Sequence, residues 1–257
     1  MDLKFNISIA DGYNSKSQIA RVLTENWVSK NIYCPVCGTS RLEDFANNSP
    51  VADFYCVKCS SEYELKSKKD VFTQKIIDGA YGTMIERINS DNNPNFFFLN
   101  YSERDLAVKN FIVIPKHYFV DDIIEKRNPL GPNARRAGWV GCNILLQNIP
   151  NSGKIFLVEN GKILEKETVL TNWQRTSFLS KQKKESRGWT IEVMKLLDRI
   201  NSENFSLNEI YNFEAVLKIK FPNNNFIKDK IRQQLQVLRD KGLIEFKGRG
   251  NYLKITN

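Results

Sequence analysis

Two cysteine pairs constrain this chain of 257 residues more than any other feature. Each is a CxxC segment, Cys34-Pro-Val-Cys37 and Cys56-Val-Lys-Cys59, and 18 residues separate the two. This spacing favours a tetrahedral zinc ion, because both thiolates of each pair can reach one ion. Four protein ligands leave no open position, so we predict a structural zinc; a redox dithiol or simple buried cysteines are the alternatives. The fifth cysteine, Cys142, is predicted to be a small buried residue without chemistry.

The segments that flank the second cysteine pair, 51–55 and 62–68, have the composition of two strands. A hairpin with the cysteines at its tip would place Asp53 roughly opposite Glu64. Glu64 and Lys66 are two positions apart and therefore share one face of their strand. We predict that these two carboxylates and one ammonium converge beside the zinc site.

Such a trio suits phosphodiester hydrolysis, so Asp53, Glu64 and Lys66 are the predicted catalytic residues. The carboxylates of Asp53 and Glu64 are the hard oxygen ligands that Mg²⁺ requires, and Lys66 can orient a water or offset developing charge. An Asp…(Asp/Glu)-x-Lys arrangement characterises the PD-(D/E)xK nucleases. The motif alone occurs by chance in most chains, and its place across a zinc hairpin favours a site over a solvated strand face. Ala52, not proline, precedes Asp53.

Other hydrolytic chemistries lack their residues. The chain has one histidine, His117, which excludes HNH-type and histidine-metal nucleases. No glycine-rich phosphate loop, Ser-x-x-Lys or Gly-x-Ser-x-Gly motif is present.

The net charge of +9 is concentrated at one end of the chain. From Lys181 onward there are 16 Lys and Arg against 9 Asp and Glu, a net charge of +7, which leaves +2 for the first 180 residues. Clustered cations favour nucleic-acid binding, although charge alone also fits a solvated basic surface. Without a signal-peptide pattern or a long apolar run, we expect a soluble cytoplasmic protein that does not enter a membrane.

Hydrophobic periodicity predicts two domains. Residues 1–181 should form an α/β (or α+β) domain with helices at 15–27 and 73–89 and strands at 95–101, 110–115 and 155–158. A polar linker at 180–186 should lead to a second domain, 182–257. There we predict helices at 189–200, 205–221 and 226–241, with a capping box from Ser206 to Glu209, and a hairpin of 243–246 with 252–255. Three helices and a basic hairpin are the order of a winged helix-turn-helix.

DNA contacts are predicted in both domains. The third helix of the second domain should enter the major groove, and the wing tip should contact the backbone or the minor groove. The alternative is that about half of these side chains are merely solvated. In the first domain, a loop with two arginines and an aromatic ring could grip phosphates and present an apolar surface; a core position for Trp139 is the alternative. The candidates are Asn223, Asn225, Lys228, Lys230, Arg232, Gln233, Lys247 and Arg249 in the second domain, and Lys68, Lys69, Arg135, Arg136 and Trp139 in the first.

Long stretches of the chain resemble the methyl-directed restriction endonucleases of the DpnI family. The resemblance covers nearly the whole chain and rests on SQIARVLTENWV, YCPVCG, PVADFYCVKCSSEYELKSKK, DGAYGTM, NNPNFFFL, ARRAGWVGCNI, SRGWTIEV and KIRQQLQVLRDKGLIEFKGRGNY. It implies a PD-(D/E)xK core with an inserted four-cysteine zinc site and a C-terminal winged helix. The family's catalytic trio maps onto Asp53, Glu64 and Lys66, and its zinc ligands onto Cys34, Cys37, Cys56 and Cys59.

The resemblance also implies a substrate that spacing cannot reveal: double-stranded DNA with N6-methyladenine in a GATC context, read by both domains. The expected enzyme uses catalytic Mg²⁺ and structural Zn²⁺, needs no small-molecule cofactor and is a monomer in solution. The alternative is a zinc-containing winged-helix regulator that binds DNA without cutting it. An intact acid-acid-lysine trio favours the nuclease, since a regulator does not need one.

Overall fold

A computed structural model describes residues 1–46, 52–70, 74–90 and 93–255. The chain forms two compact units, Met1–Asn148 with Gly153–Trp173, and Ile149–Ser152 with Gln174–Asn257. The domain limit at 181 and 182 stays a prediction. The helices are α1 (Lys16–Asn31), α2 (Tyr81–Ile88), α3 (Lys166–Thr176), α4 (Lys184–Arg199), α5 (Leu207–Tyr211), α6 (Glu214–Lys220) and α7 (Ile227–Asp240).

The strands of the described residues fall into three sheets. They are β1 (Glu43–Asp44), β2 (Phe54–Tyr55), β3 (Glu62–Lys69), β4 (Lys75–Ala80), β5 (Asn95–Ser102), β6 (Ala107–Ile114), β7 (Ile124–Lys126), β8 (Gly141–Leu145), β9 (Ile155–Glu159), β10 (Lys162–Ile163), β11 (Asn204–Ser206), β12 (Ile244–Gly248) and β13 (Asn251–Lys254). The first unit contains a sheet in the order β1-β2-β3-β5-β6-β9-β10 and a smaller one in the order β4-β8-β7; the second contains β11-β13-β12.

The large sheet is antiparallel except where β3 runs parallel to β5. The first six residues of β5 are buried, as expected for a central strand covered on both faces. On one face, the ring of Phe97 stacks on Tyr63 with centroids 4.5 Å apart and packs against Phe111 at 4.9 Å. Trp27 of α1 meets Phe111 edge-on at 5.3 Å. This aromatic core fixes β3, the predicted catalytic strand, against its neighbours.

The predicted hairpin and most predicted elements of the first unit are present. β2 pairs antiparallel with β3, and α1 begins at Lys16, one residue later than predicted, and ends at Asn31, four residues later than predicted. Position 51, where the first hairpin strand was predicted to begin, lies outside the described residues. The order of strands and helices confirms the mixed α/β class.

The helix predicted at 73–89 is wrong over its first half. Residue 73 lies outside the described residues, Lys75–Ala80 is the strand β4, and only Tyr81–Ile88 is helical. Ile76 and Ile77 are β-branched and favour extended backbone, and β4 finds its hydrogen bonds in β8. Pairing with a strand some 65 residues away has overridden the local periodicity.

The second unit has the helices and hairpin of a winged helix-turn-helix, with two differences from prediction. The single helix predicted at 205–221 is instead β11, α5 and α6, although the capping box between Ser206 and Glu209 is confirmed. The predicted linker at 180–186 is largely helical, because a 3₁₀ segment, Ser177–Lys181, leads into α4. None of the helices in the described residues is long and apolar enough to cross a membrane.

Candidate active site and DNA interface

The two cysteine pairs meet in one cluster. The sulfur atoms of Cys34, Cys37, Cys56 and Cys59 all lie within 4.8 Å of one another, and none forms a disulfide. The Cys34 and Cys59 sulfurs are 3.5 Å apart, and those of Cys37 and Cys56 are 3.6 Å apart. Tetrahedral zinc with sulfur at about 2.3 Å needs sulfurs roughly 3.8 Å apart, so the cluster suits zinc.

Hydroxyl groups surround these thiols. The Tyr63 hydroxyl lies 3.1 Å from Cys34 Sγ, the Thr39 hydroxyl 3.1 Å from Cys37 Sγ and the Ser61 hydroxyl 3.3 Å from Cys59 Sγ. Burial would raise the pKa of the Cys37 thiol, but hydrogen bonds from Thr39 and the neighbouring cysteines outweigh it and lower the pKa to about 6. Partners of this kind orient metal ligands and stabilise their charged form. Tyr63 belongs to β3, so the cluster is joined directly to the predicted catalytic strand.

The hairpin brings the predicted catalytic residues together. Phe54 pairs with Tyr63, so Asp53 follows opposite Glu64, and the backbone amide of Asp53 donates to the carbonyl of Tyr63 at 2.9 Å. The Asp53 carboxylate accepts from the amide of Leu65, between Glu64 and Lys66, at 2.6 Å. The Lys66 ammonium lies 2.6 Å from Glu64 Oε1. The three predicted residues therefore form one continuous set of contacts, and their catalytic roles remain predictions.

Two further charged residues, neither of them predicted, complete this set. Asp78 Oδ1 of β4 contacts the Lys66 ammonium, and a guanidinium nitrogen of Arg87, on α2, lies 3.0 Å from Glu64 Oε2. Burial by itself would lower the pKa of Lys66, but the nearby charges of Glu64 and Asp78 outweigh it and raise the pKa. The lysine therefore stays a cation. No motif marked Asp78 or Arg87, because their segment was predicted to be one helix.

A cleft of about 590 Å³ opens beside Asp53, between the hairpin and α1. Arg21 and Glu25 of α1, whose side chains pair at 2.7 Å, line this cleft together with Asp44. Burial, with Asp53 and Asp44 nearby, raises the pKa of Glu25 against the opposing effect of Arg21. From sequence this pair reads as an ordinary i,i+4 contact on a helix, so it carried no signal.

In the predicted DNA-binding loop of the first unit, the ring of Trp139 packs against Arg136 and Gly141. The guanidinium of Arg136 lies over the Trp139 ring, 4.5 Å from its centroid, and the indole packs so closely on Gly141 that an added Cβ would lie 2.8 Å from the ring. Arg135 and Arg136 are exposed and Trp139 is half-buried. Trp139 therefore lies at the surface and is not a core residue.

Lys68 and Lys69, both predicted to contact DNA, are the last two residues of β3 and lie on opposite faces of the strand. Lys68 follows Glu64 and Lys66 at two-residue spacing, so all three occupy one face of β3. Lys69 occupies the other face and is exposed, and its ammonium pairs with Glu103 at 2.6 Å. A role for Lys68 beside the site fits this geometry better than a role for Lys69.

In the second unit, most of the predicted contact residues are exposed. Asn223, Asn225, Lys228, Arg232 and Gln233 are exposed at or near the start of α7, whereas Lys230 is half-buried. Their surroundings differ. Lys228 and Arg232 both lie over the Tyr211 ring, at 5.4 and 5.7 Å from its centroid. These cation–π contacts with Tyr211 place the two charged groups on the same side of α7.

The wing ends in a tight turn. Arg249 and Gly250 both have positive φ, of 49° and 77°, which is the backbone of a type I′ hairpin turn. Arg249 is exposed, and the exposed Lys247 pairs with Glu245 at 2.7 Å. The turn thus presents its arginine to solvent at the tip, as predicted for a wing.

One large apolar side chain stands among these polar groups and was not predicted. Phe226, the residue that precedes α7, has 73% of its surface exposed. Sequence periodicity assigned it to the third helix, where an aromatic residue ordinarily faces the core.

Two family models match the chain. The model described as "DpnI: Dam-replacing family" covers residues 1–182, and the model described as "DpnI_C: Dam-replacing HTH domain" covers residues 185–254. The first match contains the cysteine cluster and the set around Lys66, and the second contains α7 and the wing.

Proposed function

Because this chain belongs to the DpnI, or Dam-replacing, family of methyl-directed restriction endonucleases, we propose that it is a type II enzyme that cleaves double-stranded DNA at GATC sites carrying N6-methyladenine. Cleavage is a Mg²⁺-dependent phosphodiester hydrolysis. The observation that carries the proposal is the contact between Lys66 and Glu64 on one strand face, with Asp53 bonded to the amide between them. The enzyme acts as a cytoplasmic monomer without a small-molecule cofactor.

The donor set suits magnesium. Asp53 and Glu64 offer carboxylate oxygens, and Glu64 Oε2 is buried and accepts no hydrogen bond from the described residues. That oxygen keeps a lone pair for a metal even with Arg87 beside it. When bound, Mg²⁺ polarises the scissile phosphate and lowers the pKa of a coordinated water.

Lys66 supplies a positive charge that can stabilise the transition state at this site. Its ammonium is a cation in a partly buried position, where charge interactions are stronger than in water. It can donate hydrogen bonds to the attacking water and to a phosphate oxygen, and it thereby offsets the charge that develops in the transition state.

Methyl recognition requires more than one contact. Burial of one methyl group is worth only about 1 kcal/mol, so a large preference for modified DNA needs several contributions. We assign one to the surface of Trp139 and another to Phe226, an exposed ring at the start of the helix that would enter the major groove. The N6 group of adenine lies in that groove, where apolar contacts read methyl groups.

A plasmid digest tests the function. The protein is incubated with Mg²⁺ and with plasmid from an adenine-methylating host or from a host without the methylase. We expect fragments only from the first plasmid, with ends at GATC. Equal cleavage of both would leave a nuclease without methyl specificity, and cleavage of neither would favour a non-catalytic winged-helix regulator.

Two variants separate cutting from reading. Lys66→Ala should abolish cleavage and leave DNA binding intact, and a parallel loss of binding would show that its role has been misassigned. Phe226→Ala should lower the preference of the whole protein for methylated over unmethylated duplex in a binding assay. An unchanged preference would remove Phe226 from the reader.

A further inference from the structure

Asp78 lies outside the catalytic hairpin, in the smaller sheet. Its strand, β4, pairs with β8, and its carboxylate contacts the ammonium of Lys66. Only 7% of the Asp78 side chain is exposed. The contact therefore links the two sheets of the first unit at the proposed catalytic lysine.

The position of Asp78 is one that an apolar residue would ordinarily fill. Along β4 the side chains of Ile76 and Asp78 share the less exposed face of the strand. A carboxylate there loses its hydration and needs a cation to compensate. Replacement of a buried ion pair by apolar side chains is often neutral or stabilising, so stability alone gives little reason for this one.

The backbone also directs Asp78 to this place. Asp78 pairs with Cys142 and Ala80 with Gly141, so the register shifts between them and Gly79 is not paired with a residue of β8 in the ladder. Such a bulge bends a strand and re-aims the side chains beside it, and bulges are enriched next to active sites. This irregularity is independent of the ion pair and lies at the same residue.

We propose that Asp78 is a positioning residue for Lys66 in DNA cleavage; this inference rests on the proposed function. In the free protein the ammonium is shared between Glu64 and Asp78. If Glu64 acts as a metal ligand, the ion pair between Glu64 and Lys66 becomes weaker. Asp78 then keeps the ammonium beside the water and phosphate that it must contact.

The main test compares chemistry with binding in Asp78→Asn, which keeps the shape of the side chain and removes its charge. The rate constant is measured in single turnover with saturating enzyme and Mg²⁺ on a methylated duplex, and the Kd on the same duplex with Ca²⁺. We expect the rate to fall about 10- to 100-fold, as for other residues that orient catalytic groups. The Kd should stay within about twofold, because only 7% of the Asp78 side chain is exposed and its carboxylate is taken up by Lys66.

Glu103→Gln is the matched control. Glu103 also pairs with a lysine of β3, Lys69, but both side chains are more than half exposed. This variant should keep both the rate and the Kd. A rate loss equal to that of Asp78→Asn would show a general charge effect and overturn the proposal.

A second measurement tests the contact without DNA. The unfolding midpoints of Lys66→Met, Asp78→Asn and the double variant form a cycle, and the double variant should lose less than the two single losses together. If the loss in unfolding midpoint of the double variant equals the sum of the two single losses, the two side chains do not interact, and the contact is overturned. An Asp78→Asn variant that cleaves normally, or whose Kd rises as much as its rate falls, would overturn the positioning role alone. A wild-type protein that cuts no DNA would overturn the proposed function and this inference with it.

Discussion

Removal of a single hydroxyl tests how the cysteine cluster is held. Tyr63→Phe keeps the ring that stacks on Phe97 at 4.5 Å with an interplanar angle of 4°, and it deletes the hydroxyl 3.1 Å from Cys34 Sγ. Tyr63 is fully buried, so bulk water cannot replace the lost partner. The change therefore removes one hydrogen bond and little packing.

The size of the effect follows from the charge of the acceptor. A hydrogen bond to a charged group contributes about 1.5–3 kcal/mol, and each 1.4 kcal/mol is about a factor of ten in an equilibrium constant. We therefore expect the Kd for Zn²⁺ to rise roughly 10- to 100-fold. Backbone amides from the first cysteine pair still reach Cys34, so zinc should still bind.

The assay is competition for zinc between the protein and a chromogenic chelator at fixed pH. Tyr33→Phe is the control. Tyr33 directly precedes Cys34 in the sequence, and its hydroxyl is also buried but has no hydrogen-bond partner among the described residues. Its loss should leave the Kd unchanged. A Kd for Tyr63→Phe within twofold of the wild type, or an equal change in Tyr33→Phe, would show that the Tyr63 hydroxyl does not stabilise the bound zinc.

Three further changes have definite expected outcomes. Cys56→Ser removes one of the four clustered thiols, so bound zinc should fall below about one ion per chain by atomic absorption, and cleavage should be lost at elevated temperature. Gly141→Ala places a Cβ 2.8 Å from the Trp139 ring, so the indole must move; we expect altered tryptophan fluorescence and a smaller preference for methylated DNA, without loss of folding by circular dichroism. Lys228→Ala removes an exposed cation from α7 and should reduce the slope of log K against log salt by about 1, whereas an unchanged slope would show that Lys228 contacts no phosphate.

Local patterns predicted the parts of the site that lie close in sequence. The CxxC spacing predicted the cysteine cluster, and two-residue alternation around the hairpin predicted that Glu64 and Lys66 would share a face beside Asp53. These features depend on one turn and one strand pair. Chain geometry over about 35 residues is enough to define them.

The rest of the site depends on pairing between distant segments. Asp78 reaches Lys66 only because residues 75–80 form a strand that pairs with β8. In the predicted helix the same residues would have formed hydrogen bonds within their own segment. Hydrophobic spacing from 73 to 89 fits a helix throughout, and a local pattern contains no information about the strand β8. The splitting of the helix predicted at 205–221 has a similar origin, since β11 forms by pairing with β13.

The parallel pairing of β3 with β5 has a consequence for the order in which the enzyme matures. Parallel strands cannot be joined by a tight turn, so the chain must leave the sheet after Lys69 and return at Asn95. Asp78 and Arg87, which contact Lys66 and Glu64, both belong to this excursion. During synthesis the cysteine hairpin is complete before either residue has emerged, and β8 follows still later. The charged set around Lys66 and Glu64 is therefore completed only late in the synthesis of the first unit.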